Sequence, residues 1–304
     1  MNLDDVVNTL GRHLKARYGE RVRKLSLNAG FGCPNRDGTL GRGGCTFCSV
    51  LSFAADDGDA PLAQQLAERR AELKRAARYI AYFQAYTNTY AEVETLTRLY
   101  AEATASPDVV GLAVGTRPDC VPDAVLALLA GYRERGYEVW LELGLQSAHD
   151  ETLARVNRGH GWAAYADAVA RARAAGVPVC THLILGLPGE TDAHAVTTLE
   201  RVLDAGAEGL KLHPLMITRG SRLAVAHKRG EIEPPELPAY AALVGELIRR
   251  TPPELVFHRV SATARAPTLV APAWCSTVWP AMQAIRADLD LHGGQGTRLQ
   301  ATAA

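Results

Sequence analysis

The chain predicts an α/β fold: an open or partial (β/α)6 barrel with a C-terminal α/β extension. Apolar runs of strand length alternate with helical stripes in six successive pairs between about residues 21 and 215. Strands that each return through a helix must pair in parallel. The length of 304 residues exceeds an average domain yet suits one α/β barrel. Apolar residues make up 47% and charged residues 22%, an ordinary balance for a globular chain with a sizeable core.

Residues 1–20 read as an N-terminal helical segment, 21–215 as the barrel and 216–304 as an extension packed on it. Val22, Leu25 and Leu27 alternate with polar residues and predict a first strand that runs into a cysteine-bearing loop. Pro61 marks a helix start, and Leu62, Leu66, Leu73 and Ile80 continue as its apolar stripe. The stretch from Tyr79 to Tyr86 contains the next strand, and Val93, Leu96, Leu99 and Tyr100 mark the next helix. A strand over Val109–Gly115 leads to a helix opened by Pro122 and closed by Gly136, the usual placement of proline and glycine. Strand Tyr137–Leu145 precedes a helix through Leu153 and Val156. Helix Trp162–Ala175, strand Val177–Leu185, a helix through Val196 to Leu203 and strand Gly209–His213 complete the series. In the extension, Leu243, Val244, Leu247 and Ile248 mark a helix, Leu255–Ser261 reads as one more strand, and the polar stretch from His292 is expected to fray.

Lys plus Arg and Asp plus Glu both number 33, so no global field draws the chain to nucleic acid or to an anionic membrane. Basic residues do gather locally, at Arg12, Lys15, Arg17, Arg21, Arg23 and Lys24, and at Arg69, Arg70, Lys74, Arg75 and Arg78. On charge alone these read as solvated faces. The opening residues lack a basic n-region and an apolar h-region, and no apolar run approaches a membrane span. A cytoplasmic location is expected, with no membrane partner.

Six cysteines in a chain of this length argue against a disulfide scaffold. Cys120, Cys180 and Cys275 are dispersed and read as structural thiols. Cys33, Cys45 and Cys48 share one glycine-rich stretch, where two residues separate the last pair and eleven separate the first. Spacing alone leaves two readings open. One is a structural Cys3His zinc site; the other is a cubane iron–sulfur cluster that three thiolates bind, with one iron left for a small molecule.

The stretch Gly32-Cys-Pro-Asn-Arg-Asp-Gly-Thr-Leu-Gly-Arg-Gly-Gly-Cys-Thr-Phe-Cys resembles the cluster loop of the YhcC/YtqA-type radical SAM proteins. These are similar in turn to the radical SAM domain of the elongator catalytic subunit. Further stretches carry the resemblance along nearly the whole chain, among them Val114-Gly-Thr-Arg-Pro-Asp-Cys, Leu141-Glu-Leu-Gly-Leu-Gln-Ser, Asn157-Arg-Gly-His, Lys211-Leu-His-Pro-Leu and Phe257-His-Arg-Val-Ser-Ala. The resemblance implies a partial radical SAM barrel. It implies a [4Fe-4S] cluster on Cys33, Cys45 and Cys48, with S-adenosylmethionine (SAM) chelating the fourth iron. One electron then cleaves SAM to methionine and a 5′-deoxyadenosyl radical, with flavodoxin or ferredoxin as the type of electron donor. Most radical SAM enzymes place three residues between the first two cysteines; this subfamily carries the longer spacing.

The same resemblance assigns Gln146, Arg158 and His182 to the SAM ribose or carboxylate, places Glu142 beside them, and lets Gln84 replace an absent glycine–glycine–glutamate turn. Local loop hydrogen bonds are the competing reading for Gln146 and Arg158. Arg117 either reaches substrate or pairs with Asp119. His213 and His258, at late strand ends, are assigned to substrate. The family's link to wobble-uridine maturation makes tRNA the expected substrate, and acetyl-CoA chemistry of the elongator kind is not expected, since no acetyltransferase-like stretch is read after the barrel. A small metabolite or a protein is the second reading, and a zinc-stabilised binding module without catalysis the third.

Overall fold

A computed structural model describes residues 2–49, 60–73 and 76–299. Lys74 and Arg75 of the basic face lie outside them. Strands β1 (Val22–Leu27), β2 (Arg78–Phe83), β3 (Val109–Thr116), β4 (Glu138–Gln146), β5 (Val179–Leu185) and β6 (Gly209–Pro214) pair in chain order, every pair parallel. Helix α1 (Leu10–Tyr18) precedes them, and the short helix α2 (Pro34–Asp37) lies in the cysteine loop. The crossovers are α3 (Leu62–Glu72), α4 (Val93–Ala103), α5 (Asp123–Glu134), α6 (Asp150–Arg155) with α7 (Trp162–Ala174), and α8 (Asp192–Ala205). The partial barrel expected from the alternation is the observed one.

Beyond residue 215 come β7 (Ile217–Thr218), α9 (Arg222–Lys228), α10 (Leu237–Arg249), β8 (Val256–Arg259), β9 (Leu269–Ala271) and α11 (Trp279–His292). β8 pairs in parallel with β6, so the extension supplies the seventh strand of the main sheet. β7 and β9 form a separate antiparallel pair. The backbone of Asn8 and Thr9 bridges Phe257, which covers the outer edge of β8.

Side chains alternate across the sheet with period two. Leu25, Leu27, Phe83, Leu112, Val114, Leu141, Leu143, Leu210 and Phe257 face the helices in the main core. The concave face holds a smaller apolar floor of Val22, Ile80, Ala113, Trp140, Cys180 and Val256, capped by Leu10 and Leu14 of α1. Ile80 thus belongs to β2 and not to the helical stripe through Leu62 and Leu66, since α3 ends at Glu72 with Leu73 as its cap. Intervals of four, seven and seven residues mimic a helical stripe across a chain reversal. The floor also absorbs part of the basic cluster: Arg17 pairs with the buried Glu138 at 2.6 Å, and Arg78, on β2, with Glu20 at 2.6 Å. Among the described residues, no helix is long and apolar enough to cross a membrane.

The stretch after His292 does not fray up to residue 299. Gln295 Oε1 accepts from the Asn8 amide at 2.7 Å, and its Nε2 donates to the carbonyls of Pro252 at 2.6 Å and Leu255 at 2.9 Å. Polar composition promises mobility only where backbone groups stay solvated, and here one glutamine joins three segments. Gln295→Ala should therefore cost about 2 kcal/mol in denaturant unfolding, by stranding partly buried backbone groups. An unchanged midpoint would contradict the staple.

Candidate active site

The inner face above the apolar floor carries charge. Glu142 of β4 is fully buried, and four strands send partners to it. Lys24 from β1 ion-pairs with Oε1, Lys211 from β6 donates to Oε2 at 2.8 Å, and His182 from β5 meets Oε2 at 2.7 Å. His258 from β8 lies 3.4 Å from Oε1 through Nδ1 and 3.0 Å from Lys24 Nζ. Lys211 also donates to the Tyr82 hydroxyl at 2.8 Å. The Lys24–His258 contact crosses from the first strand to the last, spanning the gap of the half-barrel.

Burial alone would raise the Glu142 carboxyl, but Lys211, Lys24 and the two histidines hold it well below the ordinary carboxylate range. Burial, aided by Lys211, lowers His182 to about 4; burial, aided by Lys24, lowers His258 to about 3. Both imidazoles are therefore neutral at pH 7. Burial also lowers Lys211, to about 8, against the pull of Glu142.

The cysteine loop roofs this layer. Cys33, Cys45 and Cys48 line one pocket together with Tyr82, Gln84, Glu142, Gln146, Arg158, His182, Lys211 and His213. Loop and barrel are joined by side chains that the sequence reading passed over. Asn35 of α2 donates to the Asn157 carbonyl at 2.7 Å and lies 3.7 Å from Cys45 Sγ. Asn157 in turn donates to the Gly44 carbonyl at 2.8 Å. Gly159, with φ at +77°, lets Asn35 approach: a Cβ there would stand 2.9 Å from Asn35 Oδ1. Gly144 is equally constrained, because a Cβ would meet Arg158 Nη2 and Gln146 Nε2, each at 2.9 Å.

Arg158 is engaged by the barrel strand and by the cysteine loop. Nε and Nη2 donate to the Gly144 carbonyl, and Nη1 reaches Cys45 Sγ at 3.6 Å. Arg117 pairs with Asp119 at 2.9 and 2.7 Å, supports the Arg158 carbonyl at 2.9 Å, and does not line the pocket. His258 is also absent from the pocket wall. Its side chain is wholly buried, edge-on to Trp140 at 4.4 Å, because β8 places it one layer below the mouth. His213 and His182 do line the wall, with rings 5.7 Å apart.

Gln146 and Gln84 retain free capacity. The Gln146 amide makes no hydrogen bond among the described residues, and the residue takes φ +79° at a register shift between β4 and β5. Gln84 accepts from Ser26 at 3.0 Å, and its Nε2 has no partner among the described residues. Tyr86, at φ +64°, is a second left-handed residue on the pocket wall. Such strain at strand ends is characteristic of sites that the surrounding fold holds in place.

The donor set fits an iron–sulfur cluster. Among the described residues, no three His, Cys, Asp or Glu side chains converge as one metal ion would require. The three thiols share a pocket wall instead, with Asn35 and Arg158 donating toward Cys45; hydrogen bonds to ligating sulfur are a lever on cluster potential. Burial raises the Cys48 thiol despite Arg36, so ligation itself must draw off its proton. Burial pushes the Cys120 and Cys275 thiols up to about 12, in keeping with structural roles.

Lys24, Lys211, Tyr82 and Asn35 are the residues that the sequence reading missed. A period-two signal was present for Lys24, which falls between Val22 and Ser26 on the inner face of β1. It had been grouped with solvated basic residues.

A model of the radical SAM superfamily matches residues 27–202, and one of the radical SAM C-terminal domain matches 207–290. The protein YhcC of Escherichia coli K12 is 54% identical over 300 residues, covering 98% of this chain and 97% of its own. A tRNA uridine(34) acetyltransferase of Dehalococcoides mccartyi is 29% identical over 160 residues, 52% of this chain and 34% of that protein. The structure of Methanocaldococcus infernus Elp3, with an N-terminal deletion, superposes with a TM-score of 0.65 at 17% identity, over 90% of this chain and 64% of the other. That likeness concerns the fold.

Two outcomes follow from the buried charge layer. Glu142→Gln leaves Lys24 and Lys211 without a counter-charge and should cost about 3–5 kcal/mol in denaturant unfolding. His182 and His258 bind protons in the unfolded chain below about pH 6.5 but resist them when folded. Stability should therefore fall as pH drops from 7 toward 4, with the Glu142 contribution lost only below the ordinary carboxylate range. A melting temperature that stays flat between pH 7 and 5 would show that the histidines are not buried neutral.

Proposed function

The chain belongs to the radical SAM superfamily, whose members use a [4Fe-4S] cluster and SAM, and we propose that this enzyme modifies the wobble uridine of tRNA. The observation that carries the reading is the facing of two walls: three cysteines on one side of the pocket, a charged barrel layer on the other. When bound, the cluster supplies one electron that cleaves SAM to a 5′-deoxyadenosyl radical able to take a substrate hydrogen atom.

The chain's own groups divide the remaining work. Cys33, Cys45 and Cys48 hold the cluster, and Asn35 and Arg158 fix Cys45. The free amides of Gln84 and Gln146 bind polar groups of SAM, with His182 presenting its remaining ring nitrogen beside them. Glu142 and Arg158 act indirectly, since each is already engaged by protein partners. The apolar floor excludes water from below, which shields a reactive intermediate. The tRNA assignment draws support from the partial relative named a tRNA uridine(34) acetyltransferase. The chain covers only about a third of that protein, so its acetyl transfer is not carried over.

Protein purified without oxygen should be brown and contain iron, and should release 5′-deoxyadenosine from SAM with dithionite. Cys45→Ala should lower both iron and release to background. Nucleoside mass spectrometry on a deletion strain should reveal altered wobble-uridine side chains; an unchanged tRNA profile would move the substrate to a small metabolite or a protein.

A further inference from the structure

The charged layer leaves two groups unused at its open edge. His213 of β6 lines the pocket, yet its Nε2 is buried without a hydrogen-bond partner. Arg259 ends β8, is exposed, and makes no hydrogen bond or ion pair among the described residues. Arg259 stands outside the pocket wall itself, and the two arginines that line the wall are spoken for: Arg158 by Gly144 and Cys45, Arg36 by the Cys48 carbonyl.

A defect in the sheet brings the two together. The register between β6 and β8 shifts after Leu210, so that Lys211 aligns with Arg259 while Phe257 aligns with Leu210. His258 is the extra residue, and the bulge turns both His258 and Arg259 toward the concave face, where strict alternation would send Arg259 outward. The effect is visible in the electrostatics. After burial, the Arg259 charge is the largest influence holding His213 well below its ordinary value, and it also bears on Lys211 and Tyr82. His213 is therefore a neutral imidazole with one N–H to offer, beside an uncompensated guanidinium.

The geometry points to an oxyanion subsite, formed by Arg259 and His213 at the β6–β8 edge of the pocket, that takes a phosphate group of the substrate. A guanidinium fork and a neutral N–H donor together match phosphate oxygens, and neither group has a competing acceptor among the described residues. The source of the phosphate rests on the tRNA reading, in which it is a phosphodiester next to the target nucleotide. The basic cluster at the barrel floor lies at the opposite end of the strands, beside α1, and cannot serve the mouth.

Arginine footprinting tests the subsite on the anaerobic holoenzyme. Phenylglyoxal modification of the Arg259 peptide, followed by mass spectrometry, should slow about tenfold in inorganic phosphate relative to chloride at equal ionic strength. His213→Phe keeps the ring, removes the donor and should weaken that protection. Equal modification rates in phosphate and chloride would overturn the subsite. A tRNA anticodon stem–loop should also protect Arg259, and Arg259→Ala should weaken its binding about tenfold and reduce the salt slope by about 1. Protection by phosphate but not by the stem–loop keeps the subsite and removes RNA as its source. Stem–loop binding that Arg259→Ala leaves unchanged, without phosphate protection, overturns the subsite and leaves the tRNA reading intact.

Discussion

One buried carboxylate organises the interior. Glu142 is removed from water on every side, and it remains ionised only because β1, β5, β6 and β8 each deliver a hydrogen-bonding or charged partner. A half-barrel has no closing strand pair to hold its first and last strands together. Here the Lys24–Glu142–His258 contacts span that opening from inside, while α1 caps it from below. Buried ion pairs seldom add net stability over an apolar core of equal volume, but they do impose geometry. In this barrel the geometry imposed is the curvature that brings Gln146, His182 and His213 around one pocket.

The cysteine loop is tied to the same strand. Arg158 grips the carbonyl of Gly144, two residues along β4 from Glu142 and on the same face, and the other end of its guanidinium reaches Cys45. Asn35 and Asn157 exchange side-chain and backbone bonds between loop and barrel. Among the described residues, three other than glycine are left-handed: Tyr86 and Gln146 at strand ends on the pocket wall, and Asn157 in the connection itself. A strained backbone persists where several independent bonds over-determine it. Cys45 is thus tied to the barrel as well as to the loop's own backbone bonds.

The sheet and its helices were legible because each strand outside the floor carries a long apolar stripe on its helix-facing side. That Cys33, Cys45 and Cys48 belong together was legible from composition and spacing, whereas the choice of a cluster over zinc came from the family resemblance. What escaped was the inner face. Lys24 and Lys211 look like ordinary surface lysines when each strand is read alone, and only the parallel register places both on Glu142. The same holds for His258, whose position at a strand end suggested the mouth; the bulge at the β6–β8 pairing sets its depth instead. Gln295 was hidden for a related reason, since its partners lie more than two hundred residues away in the case of Asn8. Local patterns report which face a residue occupies, whereas a charged residue's role depends on what lies across the barrel.

Formal neutrality belongs to the chain as a whole and does not describe its pocket. With both histidines held neutral by burial, two lysines oppose a single carboxylate in the inner layer. Arg36 and Arg158 add positive charge beside the thiols, and Arg259 adds more at the edge. At the floor, Arg17 is meanwhile neutralised by Glu138, and Arg78 by Glu20. The two ends of the strands therefore differ in balance: ion pairs of equal charge below, an excess of cations over carboxylate above. A field confined in this way by low-dielectric walls acts at short range on what enters the mouth, and it is weakly screened by salt compared with charges spread over an open surface.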